Sequence, residues 1–179
     1  YILMSQILLT GKVGNDLFEL GNKWLRHLPG GLGVATVFAC AIFAAITGSS
    51  VACAVTIGAI AIPEMLARGY ERTLVLGAVA AGGTLGILIP PSIPMILYGA
   101  ITGESVGQLF MSGVVPGVIL TLLFIAVVVY RSRKLPLQEA ASWSERLKAL
   151  KSSFWGLLLP VLVVGGIYTG AFTPTEAAA

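Results

Sequence analysis

Four stretches of this chain contain no Asp, Glu, Lys or Arg: 37 residues between Arg26 and Glu64, 31 between Arg72 and Glu104, 26 between Glu104 and Arg131, and 24 between Lys151 and Glu176. Each is long enough to hold the roughly 20 apolar residues that cross a hydrocarbon core. An ordinary soluble domain is about 25% charged, whereas this chain is 11% charged and 56% hydrophobic. A soluble globular fold is thereby excluded. The net charge of +3 would point to nucleic acid in a soluble protein, but here the basic residues sit at the ends of apolar runs, where they act as orientation signals. No nucleic-acid partner is expected; the lipid bilayer is. The ten-residue alternating segments of a membrane barrel are missing, so the expected fold class is an all-α integral membrane protein.

Six segments follow from the charge pattern. Residues 1–31 read as the end of a scaffold helix and then an interfacial helix. Leu17, Trp24 and Leu28 share one face of it with Phe18 and Leu25 beside them, Asp16, Glu19, Lys23 and Arg26 lie elsewhere, and Asn15 is the expected cap. Residues 32–67 hold a run that is uncharged from 32 to 62, interrupted by Thr47-Gly48-Ser49-Ser50 and bracketed by Lys23 and Arg26 before it and Arg68 and Arg72 after it. With both brackets on one side, the run enters and leaves by the same face. Each arm has about 15 residues, or about 23 Å of helix, against a core of roughly 30 Å. A re-entrant helical hairpin is expected.

Residues 68–112 read as a broken transmembrane helix and an outside loop around 103–108, and residues 113–134 as a transmembrane helix returning to Arg131-Ser132-Arg133-Lys134. Residues 135–153 form a charged interfacial arm, with Trp143, Leu147, Leu150 and Phe154 at helical spacing and Glu145, Arg146 and Lys148 toward water. Residues 154–179 hold a scaffold transmembrane helix and the start of the next. This arrangement places all four basic clusters in the cytoplasm, as the positive-inside rule requires. The chain opens on Tyr1 inside an apolar run and stops at Ala179 as a helix begins, so it is expected to be a piece of a longer protein; no signal peptide is recognisable. Cys40 and Cys53, with no CxxC pairing or nearby His, are expected as two buried thiols.

The chain twice puts helix-breaking residues near mid-membrane, where lipid cannot satisfy free backbone groups, so the breaks must line a protein cavity or hold a ligand. The first is Gly48-Ser49-Ser50, where Gly permits a tight turn and a serine caps the following helix. The second is Gly82-Gly83-Thr84-Leu85-Gly86-Ile87-Leu88-Ile89-Pro90-Pro91-Ser92-Ile93-Pro94. Gly82 lies about 15 Å along a helix begun at Thr73, half the core thickness. Pro90, Pro91 and Pro94 remove amide donors and leave carbonyls free. Unwound carbonyls and hydroxyls coordinate a small cation, and restarting helices attract an anion with their amino ends. No Asp, Glu or His lies deep in these runs. The coupling ion expected is therefore Na+ rather than H+, with no other cofactor and no transition metal. Gly99, Gly103, Gly107 and the Gly113 to Gly117 pair are explained by close packing or loops.

An intramembrane hydrolase would need a base beside a nucleophile, paired aspartates or a zinc motif. The one histidine, His27, sits beside Arg26 and the last aspartate is Asp16, so no enzyme is expected. The membrane subunit of an ATP-driven importer would carry a Glu-Ala-Ala segment followed by a spaced glycine. Glu139-Ala140-Ala141 is followed by Glu145 without that glycine.

Four segments carry a resemblance. Phe43-Ala44-Ala45-Ile46-Thr47-Gly48-Ser49-Ser50-Val51-Ala52, Ile62-Pro63-Glu64-Met65 with Gly69-Tyr70, Gly83 through Met95, and Gly170-Ala171-Phe172-Thr173-Pro174-Thr175-Glu176-Ala177-Ala178-Ala179 closely resemble the large, DctM-like membrane subunit of tripartite ATP-independent periplasmic (TRAP) transporters. The motifs fall in order over about 140 residues. The resemblance implies one half of an inverted-repeat elevator transporter, a multi-pass protein of the bacterial or archaeal inner membrane. It implies sodium-driven import of organic acids of the C4-dicarboxylate, sialic acid or keto acid class, with a small membrane subunit and a soluble extracytoplasmic substrate-binding protein as partners. Carried over, Ser49 and Ser50 sit at the cytoplasmic hairpin tip and residues 83–92 match the broken helix. The implied ion site is Ser49, Ser50, Gly83, Thr84, Gly86 and Pro90, and the implied half of the substrate site is Ser49, Ser50, Pro91 and Ser92. The second inverted half, with its own hairpin, lies outside this sequence. Glu176 is either a carboxylate at a helix start, with Thr173 or Thr175 as cap, or a site residue. The alternatives are another hairpin-type ion-coupled anion carrier and the ATP-driven importer subunit.

Overall fold

The computed structural model describes residues 12–133, 135 and 139–169. The expectations for residues 1–11, for Lys134 and 136–138, and for the 170–179 motif with Thr173, Thr175 and Glu176 lie outside the described residues. Among the described residues the chain forms eight α-helices, one 3-10 turn and no strand. They are α1 (Val13–Leu25), α2 (Gly31–Thr47), α3 (Ser50–Ala67), α4 (Arg72–Thr84), a 3-10 turn (Leu85–Ile87), α5 (Ile93–Thr102), α6 (Val106–Arg131), α7 (Trp143–Ser152) and α8 (Phe154–Tyr168).

The core is built around α2. This helix is apolar on every side, the pattern of a helix surrounded by others, and it packs against α1, α3, α4, α6 and α8. Leu32, Val37, Phe43 and Ile46 on α2 are buried, together with Leu17 of α1, Ile57 and Met65 of α3 and Val75 of α4. Within a bilayer such packing is held by van der Waals contact rather than by exclusion of water, which favours small residues at the seams. One seam shows this directly: a methyl group on Gly82 of α4 would lie 2.8 Å from Cys40 Sγ of α2. Cys40 and Cys53 are both free and buried, and the Cys53 thiol donates to the Cys40 carbonyl at 3.4 Å.

α2 and α3 form a helical hairpin whose turn is Gly48-Ser49. Gly48 adopts the left-handed conformation (φ 61°) and its N–H closes α2 onto the Ala44 carbonyl, the C-terminal geometry that glycine adopts without a Cβ clash. Ser49 is extended and its hydroxyl accepts the Ala52 N–H at 3.4 Å, starting α3. The open end is tied by Tyr70, whose hydroxyl accepts the Leu32 N–H at 3.3 Å. The arms have 17 and 18 residues, about 26 and 27 Å, longer than the apolar run alone suggested. The second arm runs on through Pro63 and Glu64, and Glu64 pairs with Arg68 one turn later, at 2.7 Å. By length and composition α3 is long and apolar enough to cross a membrane, as is the 26-residue α6.

Several local expectations are corrected. Asn15 is not a cap: α1 starts at Val13 with Lys12 before it. The loop around residue 103 is confined to 103–105, because Gly103 closes α5 in the left-handed region and extended Ser105 opens α6. α7 begins at Trp143, where Ser142 and Glu145 form a reciprocal capping box. It meets α8 at a 54° bend, and the Ser153 hydroxyl at that bend donates to the Asp16 carbonyl of α1 at 2.8 Å. Glu145 and Arg146 face water only in part, because both also meet α1. Glu145 accepts from Lys23 at 3.1 Å and lies 3.7 Å from Arg26, while Arg146 lies over the rings of Trp24 and Trp143. The opposite face of α7 is the open one, with Trp143 69% and Leu147 58% exposed.

Candidate functional site

The two breaks meet. The hairpin tip lies against the segment between α4 and α5, and the contact is backbone against backbone. The Ile93 N–H, the first amide of α5, donates to the Gly48 carbonyl at 3.3 Å. A methyl group on Gly86 would lie 2.7 Å from Ser49 C and Ser50 N, and one on Gly48 would lie 2.6 Å from the Pro91 carbonyl oxygen. The starts of α3 and α5 are thus side by side, each preceded by an extended serine: Ser49 at φ −129°, ψ 119° and Ser92 at φ −125°, ψ 126°. A helix start carries about half a positive charge on its free amides.

The predicted site residues divide by what they do here. Ser49 caps α3, while the Ser50 hydroxyl has no hydrogen-bond partner among the described residues and is half-buried. Ser92 is buried and donates to the Ile87 carbonyl at 2.8 Å, fastening the start of α5 to the end of the 3-10 turn. Gly83 and Gly86 are the points of closest approach, Gly83 to Ala54 and the Ser50 carbonyl, Gly86 to the tip itself. Thr84 points away: it is exposed and its hydroxyl donates to the Ala81 carbonyl at 2.6 Å. Pro90 and Pro91 are buried and joined by a cis peptide bond.

The unwound stretch is also shorter than its sequence signals. The Gly82 and Gly83 carbonyls accept the Leu85 N–H, and the Leu85 carbonyl accepts from Leu88 and Ile89. Between Gly86 and Pro91 the carbonyl of Ile87 accepts from Ser92, and those of Gly86, Leu88, Ile89, Pro90 and Pro91 accept no hydrogen bond among the described residues. Pro94 is not part of the break; it occupies the first turn of α5, where its missing N–H is not needed. Free carbonyls along the break and the start of α3 beside them, with no titratable side chain on the tip or the break, can hold a cation through oxygens and an anion chiefly through the amides that start α3, since at the start of α5 the Ile93 N–H is spent on Gly48 and Pro94 has none.

Two contacts had weaker signals. Gly48 and the Ile93 amide form the tip-to-break hydrogen bond, which a composition of Gly, Ser and Pro does not by itself announce. Gly113 and Gly117 of α6 back the break: methyl groups there would lie 2.6 Å from the Leu88 carbonyl oxygen and 2.9 Å from the Ile89 side chain. Their four-residue spacing is the signal, and it marks a flat helix face against unwound chain rather than against another helix.

The family model for the DctM component of tripartite ATP-independent periplasmic transporters matches residues 1–179. The C4-dicarboxylate TRAP transporter large permease protein DctM of Pseudomonas aeruginosa is 48% identical over 181 residues, covering 100% of this chain and 42% of that protein. The ectoine TRAP transporter large permease protein TeaC of Halomonas elongata is 40% identical, with 100% and 42% covered. The sialic acid TRAP transporter permease protein SiaT of Haemophilus influenzae is 37% identical, with 99% and 29% covered. The chain spans about two fifths of the length of the first two. With the match running through both broken helices, the chain belongs to the DctM component family of tripartite ATP-independent periplasmic transporters.

Proposed function

We propose that this chain carries one ion site and half of a substrate site of a sodium-coupled importer of organic acids in a bacterial or archaeal inner membrane. The observation that supports it is the docking of the hairpin tip on the break between α4 and α5, sealed by the Ile93 N–H to Gly48 carbonyl bond at 3.3 Å. Na+ is held by neutral oxygens, those of Ser49, Ser50 and the carbonyls that end α4 and cross the break toward Pro90. A hard cation accepts such oxygens in place of its hydration shell, and they hold no proton near neutral pH. The amino end of α3 and the dipole of α5, with Ser49, Ser50, Pro91 and Ser92, hold the acid group of the substrate beside the ion. The relatives are named for C4-dicarboxylate, ectoine, isethionate and sialic acid, which share an anionic oxygen group, a carboxylate or a sulfonate, of the kind that helix amino ends suit. α2 to α6 move as part of a transport domain in an elevator motion, with α1, α7 and α8 in the scaffold. A small membrane subunit and a soluble extracytoplasmic binding protein complete the system.

The test is Ser50→Ala in the full-length transporter reconstituted with its partners. Ser50 is half-buried with its hydroxyl unused, so the variant should insert normally while its Na+ dependence and its uptake weaken together. Uptake driven by an imposed pH gradient with no need for Na+ would overturn the reading.

A further inference from the structure

Away from the breaks, a cavity of about 330 Å³ opens between α4 and α6 over the buried side of α2. Its walls are almost wholly apolar, with Val37, Gly77, Ala78 and Phe124 among them, and its two polar groups, Thr73 and Arg131, sit together at one end. Thr73 lies in the first turn of α4 and Arg131 closes α6, so this end is the one that carries the basic cluster Arg131 and Arg133. The opposite end lies at Ala81, eight residues along α4 from Thr73, about 12 Å away and close to half the hydrocarbon thickness. The cavity therefore has the profile of one bilayer leaflet, polar at the surface and apolar to the middle.

We infer that this groove is a phospholipid site, holding one acyl chain between α4 and α6 with the anionic phosphate at Arg131 and Thr73. Charge supports the occupant. Arg131 has no carboxylate partner among the described residues, and no acidic residue lines the groove. Depth supports it too. The apolar lining from Thr73 to Ala81 runs about 12 Å, about one leaflet of a roughly 30 Å hydrocarbon core, the reach of an acyl chain whose phosphate sits at Arg131. The inference is independent of the ion and the substrate.

Gly77 supplies the probe. A side chain there meets nothing within 4 Å, so it projects into the groove without disturbing the protein, while Cys40 and Cys53 stay buried and unlabelled. Gly77→Cys, labelled with bimane in the full-length transporter, is placed in vesicles of phosphatidylcholine containing a trace of lipid brominated on its acyl chains. Brominated phosphatidylglycerol should quench about fivefold more effectively than brominated phosphatidylcholine, the preference one arginine confers near a membrane surface. Arg131→Gln should abolish that preference without changing the melting temperature. No quenching by either lipid would show the groove covered by protein, and equal quenching would show only bulk lipid; both outcomes overturn the inference. Should the labelled protein fail to fold, native mass spectrometry of the unlabelled transporter and its Arg131→Gln variant decides: equal retention of phosphatidylglycerol by the two overturns it.

Discussion

Gly86→Ala tests whether the tip-to-break contact is the element that defines the site. The added methyl would sit 2.7 Å from Ser49 C and Ser50 N and 2.9 Å from the Ser49 carbonyl oxygen. Carbon and its neighbours rest near 3.5 Å, so the tip must retreat by about 0.8 Å. All three atoms are backbone and none can rotate aside. Overpacking of this kind costs about 1–3 kcal/mol, and a rigid backbone on both sides puts the cost near the upper figure. At about 3 kcal/mol the docked state loses roughly two powers of ten against its opened form. The readout is hydrogen exchange of a peptide containing Ile93 in the full-length transporter, because that amide is the donor to Gly48. Exchange should quicken by up to about 100-fold, since protection tracks the local opening free energy. Gly77→Ala is the control: nothing lies within 4 Å of its methyl, and alanine within a helix gains up to about 1 kcal/mol over glycine. Unchanged Ile93 exchange in Gly86→Ala would refute the claim that this contact holds the breaks together.

Two further outcomes are expected. Gly48→Ala combines a left-handed φ of 61° with a methyl 2.6 Å from the Pro91 carbonyl oxygen; the conformation alone costs about 1–2 kcal/mol, so the melting temperature should fall, and an unchanged one would contradict the turn geometry. The Glu145 carboxyl is held below its usual range by the Lys23 hydrogen bond first, then the Ser142 N–H and the charges of Lys23 and Arg26. A depressed carboxylate stabilises above its unfolded pKa and loses that effect as pH falls through the folded one. The α1–α7 contact should therefore hold through neutral pH and loosen only as pH falls below the ordinary carboxylate range, seen as a change in tryptophan fluorescence from the Trp24–Trp143 pair that Glu145→Gln removes.

The breaks were legible in the sequence because Gly, Ser and Pro act on their own backbone. Gly48 dictates where α2 ends, Ser49 where α3 starts, and Pro90-Pro91 where hydrogen bonding must lapse. Their extent was less legible, and the reason is energetic. A helical glycine costs about 1 kcal/mol against alanine, which close packing offsets. Gly82 and Gly83 accordingly stay helical, pressed against Cys40 and Ala54, and the unwinding falls where proline has removed the donors. Pro94 shows the same rule from the other side, since position within the first turn makes its missing N–H harmless.

Partners across the chain were not legible at all where they depend on long-range packing. Glu145 and Lys23 are separated by 122 positions, and the helical period of α7 shows which residues share a face without showing which face finds a neighbour. The polar face of α7 turned out to be the docked one, because Lys23 and Arg26 on α1 offer it counter-charges while Trp143 and Leu147 are left exposed. The tip of the hairpin obeys a different logic. There the contacts run from backbone to backbone through Gly48 and Gly86, so the shape of the site rests on side chains that are missing, and its chemistry on the few hydroxyls beside them. Substituting Ser50, whose hydroxyl has no partner among the described residues, should alter what the proposed site holds and leave its shape intact, whereas substituting either glycine, or the Ser49 cap and the Ser92 tie, should alter the shape first and the chemistry only as a consequence.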